Sequence, residues 1–427
     1  MAPSPTKKKT PTTSTSGGAT SPQKKQKTEH GGDDALVEFL RSLPSVRETC
    51  RRVYALARDD ALPHFSVDED KIADVAEFVI QIIRDAYPGN EAGVPFHSRW
   101  RHFETGNPDR VPTMTAAWTC DAKEKARRLI DLALVSVLLD AGAGPTWKFK
   151  EPGTDDVYSR SEGLGIASLH MFMQGAFSDA IATAFQVDEE TNPLVGCAGR
   201  TDLLKRLGKS IKARPEYFGG DDGTSARPGN LVDYLFKFKN DNDEVSVATL
   251  WKGVVYGLQD IWPSDRTAIA GNNMGDVWTL SYLPDHPTSG KYVSFHKLSQ
   301  WLTYSLMEPL QDAGLKITDL HLMTGLPEYR NGGLLVDYGV LVPKHDDILT
   351  DEFDPSAEVI IEWRALTVAL LDEIHKVLLE RLDLSADVFP LVKMLEGGSW
   401  KAGRVIAKEK RDGGGPPIKI RSDGTVF

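Results

Sequence analysis

Cysteine is scarce in this chain: Cys50, Cys120 and Cys197 are odd in number and show no CxxC spacing, which leaves a disulfide framework or a cysteine-rich zinc site without support. Free thiols in a reducing compartment are expected. Long apolar runs are missing too. The strongest, Leu132 to Leu139, is far shorter than the roughly 20 residues a bilayer span needs, and Arg127, Arg128, Asp131 and Asp140 flank it. No membrane partner is expected, and the start of the chain lacks the apolar stretch of a secretory signal. The commonest catalytic signatures are also absent: there is no GxSxG, no P-loop, no HExxH and no glycine fingerprint after a strand.

Positive charge is in deficit and unevenly spread. Lys plus Arg number 50 against 61 Asp plus Glu, and residues 1–30 hold six Lys and one Glu, so +5, which leaves −16 on the remainder. Phosphate contacts need clustered Lys and Arg, so so acidic a body makes nucleic acid an unexpected partner. Residues 1–32 are Ser, Thr, Pro, Gly and Lys with almost no apolar content, and are expected to form a disordered basic tail. The clusters Lys7–Lys9 and Lys24–Lys27 fit a solvating tail or a nuclear-import or nucleic-acid patch, so the expected location is the cytoplasm, with the nucleus as a further one if the tail is a targeting signal.

Residues 33–427 contain no internal repeat and no Gly/Ser linker, and their apolar spacing predicts a single, mainly α-helical domain with a few short strands. Ser66 and Glu69 have the spacing of a capping box ahead of Ile72, Val75, Val79, Ile82 and Ile83. Asp121 and Glu124 cap a helix through Leu139 that is apolar nearly all round and should be central. The segment 145–160 alternates like a small hairpin around Pro152-Gly153, and strands are also allowed near 245–255. Further helices are expected from Glu162 and from Asp354-Pro355, the latter carrying Trp363, Leu366, Leu370, Ile374 and Val377 on one stripe.

Several groups have the makings of a site. A loop rich in Pro, Gly and Asn carries His97, Arg99, Arg101 and His102. The histidines are five apart with no acidic partner at zinc spacing, so no metal is expected there. Arg99 and His97 suit an anion or sugar, or plain salt bridges to the acidic body. Arg160 and Glu162 fall at a strand-to-helix junction, where helix amides bind anions, although Glu162 also simply complements a helix dipole. Glu362 and Arg364 flank Trp363 and are not expected to follow it inward together; an ion pair is the plain account. From Tyr292 a helix is predicted with Leu298, Trp301, Leu302 and Leu306 as its core stripe, and Lys297, Gln300 and Tyr304 on a face free for a ligand. Asp337 then sits between the apolar runs Leu334–Val336 and Val340–Val342, either as a helix N-cap alone or as a cap that also does chemistry.

The stretches FHKLSQWLTYSLMEPL and GLPEYRNGGLLVDYGVL, with VPFHSRWRHFE, DAGAGPTWKF, SRSEGLGIAS, ARPGNLVDYL, EWRALTVALLDEI, LEGGSW and a terminal SDGTVF, resemble the uracil-catabolism protein 4 family from about residue 35 onward. More distantly, Phe295-x-Lys297-x-x-Gln300 followed by Asp337-Tyr338 resembles the queuosine-salvage nucleotide glycosylases, whose fold is similar to that of helix-hairpin-helix DNA glycosylases. Together these resemblances imply an N-glycosidase that releases urea from a ribosyl-urea compound, with no cofactor. Asp337 would stabilise the sugar cation and activate water, and Gln300 would assist the departing nitrogen. Lys297, Arg99, Arg160 or Arg364 would hold a 5′-phosphate, and His97, Glu162, Tyr338 and Glu362 would complete the substrate contacts. The expected partner is therefore a small ribosyl or ribose-phosphate molecule. A metal-independent ureido amidohydrolase and a non-catalytic binding protein are the alternatives, and the oligomeric state is left open.

Overall fold

The computed structural model describes residues 23–421 apart from 141, 145, 176–180, 221, 222 and 224, with side chains from residue 32 onward. Its principal helices are α1 (Gln23–Leu40), α2 (Leu43–Arg58), α3 (Ile72–Ala86), α4 (Ala122–Leu138), α5 (Arg160–Met173), α6 (Lys297–Asp312), α7 (Tyr329–Asp337), α8 (Glu358–Leu382) and α9 (Trp400–Lys410). Among the described residues the strands pair only in twos, so the fold is mainly α as the apolar spacing predicts. Residues 1–22 of the expected tail lie outside the described residues, and α1 begins inside the remainder, at Gln23. No helix among the described residues is long and apolar enough to cross a membrane.

Helix α8 is the axis of the core. Every residue from Val359 to Asp372 is buried, because α2, α3 and α7 surround this half of the helix. A helix enclosed on all sides must take its polar residues inside with it. Glu362 and Arg364 are accordingly 0 % and 1 % exposed, contrary to the expectation that they would not both turn inward. Nor do they pair with each other. Glu362 accepts from the Tyr282 hydroxyl at 2.6 Å and from the amides of Phe65 and His64 at 2.7 and 3.3 Å. Arg364 grips Asp276 with both terminal nitrogens at 2.7 Å.

The second buried helix is α4, which packs along α6. Its start follows the sequence signal: Asp121 accepts from the Glu124 amide at 2.7 Å. The hairpin within 145–160 is also present, with Phe149–Lys150 antiparallel to Val157–Tyr158.

Other local expectations fail for tertiary reasons. Ser66 does not cap α3; it lies in the strand Phe65–Val67, opposite Val342 of Leu341–Pro343. Glu69 turns instead to Tyr54 and Arg58. In the 245–255 stretch only Glu244–Ser246 is a strand, and Ser246 caps a helix over Val247–Gly257 by accepting from the Ala248 amide. Helix α8 starts at Glu358, three residues after Pro355, and α5 at Arg160 rather than Glu162.

Burial pushes the Glu362 carboxyl up from 4.5 to about 7, against the opposing effect of Tyr282 and the two amides. A carboxyl raised in the folded state stabilises the fold most below its unfolded value and loses that contribution as pH rises through the folded one. We therefore expect Glu362→Gln to gain melting temperature relative to wild type between pH 5 and pH 8. A constant difference across that window would show that Glu362 is already ionised at the acid end.

Candidate functional site

Three helix N-termini and one C-terminus meet at a cavity of about 220 Å³. Helix α5 brings Arg160, Ser161 and Glu162; α6 brings Lys297 and Trp301; α7 brings Tyr329 and Arg330 behind Leu326 and Glu328. The end of α4 supplies Asp140, with Gly142 and Ala143 beyond it, and His97, His102 and Trp400 close the wall. Helix N-termini carry partial positive charge, so the convergence favours a ligand with negative charge.

Trp400 owes its place to a π-helical turn, Leu395–Ser399, inserted just before α9. The same turn carries Glu396, whose carboxylate meets His97 Nδ1 at 2.7 Å. Such turns commonly mark functional sites. Helices α7 and α9 pack closely because Gly403 faces the Arg330 carbonyl, which a Cβ there would meet at 2.3 Å.

The carboxylates of the cavity are in unequal states. Glu328 caps α7, accepting from the amides of Asn331 and Arg330 at 2.6 and 2.9 Å. Glu162 accepts from Arg404 at 2.6 Å. Asp140 makes no aligned hydrogen bond to a described residue; Arg99 Nη1 lies 3.1 Å from its Oδ1, a buried oxygen without an aligned donor. A negative charge at the end of α4 also opposes that helix's dipole, so only the nearby cations hold it there.

The cations differ in the same way. Arg99 is fully buried and committed to Asp140, the Ser136 hydroxyl and the Ser161 carbonyl. The Lys297 ammonium has no hydrogen-bonded partner among the described residues and lies 5.8 Å from the Trp301 ring centre. Burial lowers its pKa, with Glu328 and Asp140 acting in the opposite sense. Burial and the Arg99 charge hold His102 well below the usual histidine range, so it is neutral near pH 7. The indole N–H of Trp301 is buried without a partner, a donor left for a ligand.

The family description "Protein of unknown function (DUF1688)" matches residues 39–427. The chain belongs to the DUF1688 family. Its relatives include "Uracil catabolism protein 4" of Lachancea kluyveri, 39% identical over 445 residues and covering 92% of this chain and 99% of the relative. "Protein urg3" of Schizosaccharomyces pombe is also 39% identical, over 416 residues, with the same coverage of each chain.

Of the residues the sequence singled out in this DUF1688 chain, His97, Arg160, Glu162 and Lys297 line the cavity. Arg99 stands directly behind it. The other five are elsewhere. Gln300 is fully buried, its amide closed on the Phe295 carbonyl and on Thr324. The predicted ligand face of α6 is thus rotated: Tyr304 bonds the Thr324 carbonyl in the core, while Trp301, assigned to the core stripe, reaches the cavity. Tyr338 packs on Phe78, and Glu362 and Arg364 belong to the α8 network. Asp337 ends α7 rather than capping a helix N-terminus, and Arg411 grips both its oxygens at 2.6 Å.

His102 was named with the loop cluster but given no substrate role, and Asp140, Glu328, Tyr329, Arg330 and Trp400 were not singled out. A usable signal existed for Asp140, a charge set just after the most apolar helix, where the dipole disfavours it. Among the described residues no three His, Cys, Asp or Glu side chains gather as metal ligands do. Since Asp337 is tied to Arg411 away from the cavity, Asp337→Asn should cost about 1 kcal/mol of stability and leave ligand binding at the cavity intact. A calorimetric titration that lost binding at unchanged melting temperature would place Asp337 at the ligand after all.

Proposed function

We propose that this chain is an N-glycoside hydrolase of uracil catabolism that splits the ribose C–N bond of a ribosyl-urea compound. The relative named for uracil catabolism supports the pathway, and the cavity's recessed carboxylate supports the reaction. The observation that carries it is Asp140, a recessed carboxylate free of aligned hydrogen bonds beside Lys297 and the unpartnered indole of Trp301.

As the C–N bond breaks, positive charge builds on the sugar, and a carboxylate in a water-poor site stabilises it. Asp140 takes that role and receives a proton from the attacking water. The departing urea nitrogen needs a proton in turn. Lys297 supplies it, since an ammonium whose pKa burial has lowered is a better acid. Water thus contributes hydroxyl to the sugar, and the proton given to Asp140 restores the one lost by Lys297. Asp337 and Gln300, expected from the resemblance to perform these steps, are replaced in this reading by Asp140 and Lys297.

The test is urea release from ribosyl-urea, with and without a 5′-phosphate, by wild type and Asp140→Asn of matched melting temperature. The expected loss in kcat is about a hundredfold or more with ligand affinity largely kept. Ammonia and carbon dioxide in place of urea would indicate cleavage within the ureido group, and no product from any ureido riboside would overturn the reading.

A further inference from the structure

We propose that the end of the cavity between Arg160, Tyr329 and Arg330 is an oxyanion subsite for a phosphate monoester, so that the substrate is a phosphorylated ribosyl compound. The inference rests on the reading of this cavity as a ribosyl site. It begins from Arg330, which the sequence reading passed over.

Arg330 is 7 % exposed, yet its guanidinium makes no ion pair and no hydrogen bond to a described residue, and its Nε is buried without an acceptor. Other buried or nearly buried arginines are engaged: Arg99 with Asp140, Arg364 with Asp276 and Arg110 with Glu151. A recessed charge without a partner is costly, and among the described residues aromatic rings hold it, Tyr329 and Trp400 at 5.0 and 5.3 Å. Those rings fix the direction of the fork while leaving its N–H groups unused, the state of a donor awaiting an acceptor.

Arg160 meets Arg330 at this end. It is exposed, has no partner among the described residues, and holds a left-handed backbone at φ 56°, a strained conformation for a residue with a side chain. It opens α5, a helix of 14 residues whose first turn has no side-chain cap. Outward-pointing amides there add a second set of donors. Arg160, Tyr329 and Arg330 also border an adjoining hollow lined by Pro416, Ile418 and Ile420, so the subsite lies where the cavity opens. Glu328 and Glu162 do not neutralise it, since α7 amides and Arg404 already occupy them, and the charge nearest Asp140 is Arg99. Two uncommitted guanidiniums beside an uncapped helix end match a dianion better than a single carboxylate.

The experiment is calorimetric titration of the full chain with ribose 5-phosphate, ribose, inorganic phosphate and ribonate. Ribose 5-phosphate is expected to bind at least about tenfold more tightly than ribose or ribonate. Arg330→Met and Arg160→Gln should each weaken it about tenfold or more while leaving ribose affinity alone. Arg160 is exposed, so its variant decides the matter if Arg330→Met fails to fold. Equal affinity for ribose 5-phosphate and ribose, equal affinity for ribonate, or indifference to both substitutions would overturn the subsite. Binding needs no turnover, so the two proposals fail separately. Tight ribose 5-phosphate binding without urea release sinks only the glycosidase; urea release from unphosphorylated ribosyl-urea without ribose 5-phosphate binding sinks only the subsite.

Discussion

One buried ion pair positions both sides of the cavity. Asp276 and Arg364 are almost completely enclosed, and neither is satisfied by the other alone. Asp276 also accepts from the Trp278 indole at 2.7 Å and from the amide of Lys297 at 3.0 Å, and its carbonyl receives the Phe295 amide at 3.0 Å. It therefore fixes the start of α6. Arg364 reaches the Pro327 carbonyl from the other side, at 3.4 Å, just before Glu328 and α7. Removing one member of such a pair leaves an uncompensated charge in the core, typically a loss of about 3–5 kcal/mol. The pair thus gives α8, which supplies none of the cavity's lining residues, control over where Lys297 and Arg330 stand.

Around this anchor the protein sorts its charges into committed and uncommitted ones. The committed ones hold the fold: Asp276 with Arg364, Asp337 with Arg411 and Glu151 with Arg110. The uncommitted ones, Lys297, Arg160 and Arg330, gather at one cavity together with Asp140, whose ion-pair partner Arg99 lies off the hydrogen-bonding direction. An acidic chain that leaves cations without partners in a recess concentrates its attraction for anions there, because low-dielectric walls strengthen each remaining charge.

Much of the helical architecture was legible, in α3 because burial repeats with the helical period and in α4 and α8 because apolar residues run nearly all the way round. What failed was the assignment of faces. A stripe of Leu298, Trp301, Leu302 and Leu306 looks like core whichever way α6 is turned, and only the packing of α4 and the Thr324 segment decides that Gln300 and Tyr304 point inward. Asp337 misled for a related reason: its apolar neighbours divide between α7 and the strand Leu341–Pro343, and the cation that explains it, Arg411, is 74 positions away. Conversely, Arg330 reads as an ordinary surface arginine until Gly403 and Trp400 close over it.

The cavity draws on short stretches scattered between His97 and Trp400, and no stretch contributes more than a few of its walls. An unfolded or half-folded chain therefore holds no fragment of the site that a ligand could recognise. All of the binding free energy falls on the native state, and a ligand at a hundred times its dissociation constant adds about 2.7 kcal/mol against unfolding. Occupancy is thereby translated into resistance to heat, so a panel of metabolites can be ranked by how far each raises the melting point, whatever bond the protein breaks.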